Sequence, residues 1–135
     1  MGMMFDQPQR LKNFWWRVAG GVTLVLAIVL YRQEGGSWLV FTLLLLFPDL
    51  GALGYLISVR AGVRGYNLLH NYPLPLVLFG AGMGAGNPPI VAVAAIWLAH
   101  IGMDRLLGYR LKATAPVAAA SPAQPGAGRA GPLAG

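Results

Sequence analysis

The chain has no cysteine and only four acidic side chains among its 135 residues. The first absence excludes disulfides, thiolate nucleophiles and cysteine-type zinc sites, and it removes any clue to redox compartment. The second, with charged residues at 10% and apolar ones at 56%, takes the chain outside the composition of soluble globular domains. A dense basic stripe is also missing. The ten Lys and Arg residues are scattered around apolar segments, so the net charge of +6 points to anionic lipid headgroups and away from nucleic acid. The glycine run near residue 82 lacks the Lys-Ser/Thr of a P-loop. Asp6 stands where a myristoylation signal needs Ser or Thr, and no small-residue cleavage site follows the first apolar stretch, so a retained membrane helix is expected there.

What is present is a succession of apolar segments, which predicts an all-α polytopic membrane protein of about four transmembrane helices. The first, about 14–31, carries Trp15, Trp16 and Arg17 at one end and Tyr31 at the other, as an interfacial belt requires. The second, 37–59, is long enough to span with some tilt, and Pro48 predicts a kink beside Asp49. A polar, glycine-containing connection follows from Arg60 to Tyr72. Helix three, about 73–85, is short for a span, which leaves a full crossing and a half-helix or re-entrant segment as alternatives. Its Gly80 and Gly84 define a small-residue face suited to a homo-oligomer. Helix four covers about 90–109. The transmembrane helical domain is thus 1–112, and the Ala/Pro/Gly-rich tail 113–135 is expected to be disordered. With four spans, all Lys and Arg residues except Arg32 fall on one side, which predicts cytoplasmic termini.

Two of the four acids, Asp49 and Asp104, lie inside these apolar stretches, and His70 and His100 fall in or beside them. A carboxylate near the bilayer centre costs roughly 2.5–3.5 kcal/mol on the insertion scale, so this placement marks a functional site by default. Asp49 and His100 come to the same depth, about 14 Å from the cytoplasmic end of their helices. His100 and Asp104, four apart, share one face, and His70 enters from the rim. Two imidazoles and two carboxylates suit Zn, Mn or Fe as divalent ions. The sequence leaves alternatives open: Asp49 pairing with Arg64 or Arg105 and His100 with Asp104 as a packing device, or a proton relay in a small carrier. Asn67 and Asn71 read as helix caps or as groups orienting His70, Tyr66 and Tyr72 as interfacial anchors, and Arg105 as a phosphate ligand or a snorkelling cation.

The stretches Phe47-Pro48-Asp49-Leu50-Gly51, Gly65 to Tyr72 and Ile96 to Tyr109 resemble the uncharacterised bacterial integral membrane family called domain of unknown function 4260, over about Trp15 to Lys112. That family's pattern has Gly where this chain has Arg110. The resemblance implies a small multi-spanning protein of the bacterial inner (cytoplasmic) membrane. The order Pro-Asp, then His, then His-x-x-x-Asp is also distantly similar to inner-membrane metal-dependent hydrolases. That similarity implies Asp49, His70, His100 and Asp104 as metal ligands, with Gly51, Leu69 and Asn71 departing from the hydrolase pattern.

Overall fold

The computed structural model describes residues 7–112, so the tail expected to be disordered lies outside the described residues. Among these residues the fold is all-helical. Helix α1 covers Gln7–Gln33, α2 covers Trp38–Leu45, a 3-10 helix covers Phe47–Leu56, α3 covers Val59–Leu69, α4 covers Pro73–Gly84 and α5 covers Pro88–Leu107. Three helical segments are long and apolar enough to cross a membrane, namely Pro8–Gln33, Trp38–Leu56 and Pro88–Leu107, whereas Pro73–Gly84 is shorter. The expected fourth span is therefore a half-length helix.

α5 is the centre. Its 20 residues reach about 30 Å, the thickness of a bilayer core, and it is apolar nearly all round, as a helix surrounded by others must be. α1, α2 and α4 pack against it, while α1 and α4 do not pack on each other. In lipid no hydrophobic force drives helices together, so close backbone contact has to do it. A Cβ on Gly102 would lie 2.7 Å from the Gly20 carbonyl oxygen and from the Leu24 nitrogen, which is why α1 and α5 can cross so tightly. They run antiparallel: Arg17 Nε donates to the Leu106 carbonyl at 2.8 Å, and Tyr31 at the far end packs with Ala95 and Ile96.

The second segment does more than kink at Pro48. Proline offers no N–H to the Leu45 carbonyl, and the Asp49 N–H, its partner in a continued α-helix, bonds to Leu46 O at 3.2 Å. The chain continues as a ten-residue 3-10 helix, long for that form. Its threefold repeat lines up Gly51 and Gly54 on one face. That face meets α3, where a Cβ on Gly51 would lie 2.5 Å from the Gly65 carbonyl oxygen and one on Gly54 2.6 Å from that of Ala61. At about 2.0 Å rise per residue the 3-10 form also lengthens the segment beyond its α-helical reach.

The polar connection expected from Arg60 to Tyr72 is largely helix. Ser58 caps α3, its Oγ accepting from the Ala61 N–H at 3.1 Å. The helix buries Gly62 and Val63 and leaves Arg60 and Arg64 exposed. It leads down to His70, where Trp97 Nε1 donates to the Leu69 carbonyl at 2.6 Å. α4 then starts part-way along α5 and returns in a hairpin closed by Gly86, at φ 57°, and Asn87, whose Oδ1 accepts from the Ile90 N–H at 3.2 Å.

Candidate metal centre

Four side chains from three elements converge in the C-terminal half of α5. Asp49 stands in the first turn of the 3-10 helix, His70 caps the end of α3, and His100 and Asp104 lie one turn apart on α5. The two Nε2 atoms are 3.0 Å apart. Asp49 Oδ1 lies 3.3 Å from His70 Nε2 and 3.5 Å from His100 Nε2, and Asp104 Oδ2 lies 3.4 and 3.5 Å from the same atoms. All four residues singled out from the sequence are thus brought together. Asp49, His70 and His100 each offer an atom within 4.8 Å of the other two, a spacing that one metal ion could bridge, while Asp104 reaches both imidazoles but not Asp49 within that distance.

The surroundings set the imidazole tautomers. A carbonyl can only accept, so the 2.8 Å contact between His70 Nδ1 and Tyr66 O puts the proton on Nδ1 and leaves Nε2 as a lone pair pointing at the cluster. The Tyr66 ring stacks on His70 at 3.8 Å and 13° and holds its plane. Burial, and after it Asp104 and Asp49, push the Tyr66 hydroxyl above the ordinary range for a phenol. The Leu45 carbonyl, freed by Pro48, faces the His100 ring, although no hydrogen bond closes to the buried Nδ1 at normal geometry. The histidine side chains are 4% and 1% exposed, Asp104 17% and Asp49 53%, so the cluster is sealed on the histidine side and open at Asp49.

Of the alternative pairings, His100 with Asp104 is present at 3.5 Å, whereas Asp49 with an arginine is not. Among the described residues the ionic partners of Asp49 are the two histidines, with neither Arg64 nor Arg105 in reach. Asn67 caps nothing: from within α3 it clamps the chain after α5, its Nδ2 donating to Lys112 O at 2.6 Å and its Oδ1 accepting from Lys112 N at 2.7 Å. Asn71 Oδ1 accepts from the Tyr72 N–H at 3.0 Å. Tyr72 is tied inward, its hydroxyl 3.1 Å from Thr23 Oγ1. The stacking role of Tyr66 was not visible in the sequence, where an interfacial tyrosine is the commoner case.

The fold and the cluster together define a small helical protein with membrane-length apolar helices and a His/Asp cluster whose histidines are buried. The family described as "Domain of unknown function (DUF4260)" matches residues 13–120, and the chain belongs to it. No curated protein and no solved structure matches the chain.

Proposed function

We propose that Asp49, His70, His100 and Asp104 hold a divalent transition metal, Zn, Mn or Fe, within the membrane, and that the centre serves metal-assisted hydrolysis of a lipid-like or phosphoester substrate. The observation that carries this reading is the closeness of Asp49, His70 and His100, whose ligand atoms all lie within 4.8 Å of one another, with Asp104 Oδ2 3.4 and 3.5 Å from the two imidazole nitrogens. Two Nε2 atoms 3.0 Å apart need a proton or a cation between them. With Nδ1 of His70 donating to Tyr66 O, its Nε2 lone pair faces the cluster, where it takes either a proton from His100 Nε2 or a cation. Two carboxylates neutralise a divalent ion, which lowers the cost of burying it.

Asp49 is half exposed, so its side of the cluster is the one that water or a substrate reaches. A bound ion supplies Lewis-acid activation of water at that open side. There a carboxylate accepts the proton of the attacking water, the new bond forms to the ester's central atom, and the departing oxygen takes the proton.

Elemental mass spectrometry of the protein purified in mild detergent tests the proposal. The expected result is near-stoichiometric metal in the parent chain and its loss in the Asp49→Ala/His100→Ala variant, with circular dichroism showing retained helix. A parent chain that stays metal-free after incubation with Zn²⁺ and Mn²⁺ would overturn it.

A further inference from the structure

Arg105 follows Asp104 on α5, and its guanidinium lies between two rings, 3.9 Å from the Trp16 centroid and 4.0 Å from that of Tyr72. Both faces of the plane are covered, so only its N–H edge is free to bond. No carboxylate or carbonyl takes those donors among the described residues. A second donor nearby is also unmet: Trp16 Nε1–H is buried without an acceptor. Trp16 and Arg105 line one small cavity with His70, Asp104 and Arg110, about 10 Å³, room for a single water-sized group. The donors therefore surround a place for one oxygen atom, immediately beside the Asp/His set.

Tyr72 connects this cavity to a larger apolar groove. The ring that carries Arg105 also closes one end of a groove of about 370 Å³ lined by Thr23, Leu26, Leu30, Leu76, Phe79 and Leu98. The groove exists because α1 and α4 each pack on α5 and leave a gap between them. Its one polar end is the Thr23–Tyr72 hydroxyl pair, and the rest suits hydrocarbon.

We propose that these two separate hollows, which meet at the Arg105–Tyr72 contact, bind a phosphate-bearing membrane lipid, with the phosphate on Arg105 and Trp16 Nε1–H and an acyl chain in the groove between α1 and α4. A phosphate fits better than a carboxylate because it can set one oxygen against the indole N–H and further oxygens along the arginine edge. What becomes of the bound ester rests on the hydrolytic reading above, whereas the binding does not.

The test uses the full chain in mild detergent and calorimetric titration with dioctanoyl phosphatidic acid, dioctanoylglycerol and inorganic phosphate, with metal content read in parallel. The phosphatidic acid is expected to bind at least tenfold more tightly than either control. Arg105→Gln and, separately, the groove-filling Leu76→Trp are each expected to weaken it tenfold or more with metal content unchanged. Trp16→Phe, which keeps the ring over Arg105 and deletes the donor, should weaken it several-fold. Unchanged affinity in Arg105→Gln would overturn the proposal, and so would inorganic phosphate or dioctanoylglycerol binding as tightly as the lipid. A metal-free parent chain with this binding pattern would sink the metal centre and leave the lipid site standing.

Discussion

Tyr66 serves the cluster twice, through a backbone carbonyl that fixes the His70 tautomer and a ring that fixes the His70 plane. Its hydroxyl takes no part in either. Because the folded-state pKa of that hydroxyl is raised, the stability linked to its protonated form is complete below pH 10, the ordinary value, and is lost as pH rises through the raised one. Tyr66→Phe should therefore keep metal content and flatten the alkaline loss of stability, checked by thermal unfolding across pH 9 to 12; an identical alkaline profile in the variant would contradict this. The four clustered residues were legible in the sequence because each is a polar side chain inside or beside an apolar run. Tyr66 and Asn67 were not, since the groups they hold are a ring plane and a peptide unit 45 positions along the chain, and no spacing rule encodes either.

At the scale of elements, the 3-10 helix and α3 depend on each other. Gly62 and Gly65 give α3 a poor intrinsic propensity, and Arg60 and Arg64 break its apolar pattern, so as sequence it reads as a connection. The helix forms because its glycines let it lie against a threefold helix whose own glycines recur every third residue. A methyl group at either side of the Gly51–Gly65 contact has nowhere to go, the obstacle being backbone. Gly51→Ala or Gly65→Ala should each cost about 1–3 kcal/mol, an overpacking penalty, and should also lower metal affinity by moving Asp49 relative to His70. Gly80→Ala, at a position with open space around it, is the control and should leave both unchanged in the monomer. Thermal unfolding and metal titration of the three variants check this; a Gly51→Ala chain as stable as Gly80→Ala would refute the account of the hairpin. Pro48 was recognised from sequence as a disruption, but the form of the new helix follows from the partner it meets, which a single segment cannot reveal.

At the scale of the whole molecule, the apolar segments and the short length of α4 were legible in the sequence, while the central position of α5 was not. Whether Pro73–Gly84 crosses depends on where it starts, and that is set by His70 docking in the C-terminal half of α5. Every other membrane-length helix leans on α5. A chain ended after Gly86 should consequently lack any protease-resistant core, readable by limited proteolysis in detergent, and a stable fragment of that size would contradict the packing described. The two-residue pattern on α5 acquires a further meaning from this arrangement. During N-to-C synthesis the 3-10 helix and α3 can pair first and bring Asp49 next to His70, which leaves a half-built clamp waiting in the membrane. His100 and Asp104 then arrive together, already aligned by one helical turn, when the last helix docks. The Asp/His cluster is thereby completed by the same event that completes the bundle, so an intact cluster reports a finished assembly.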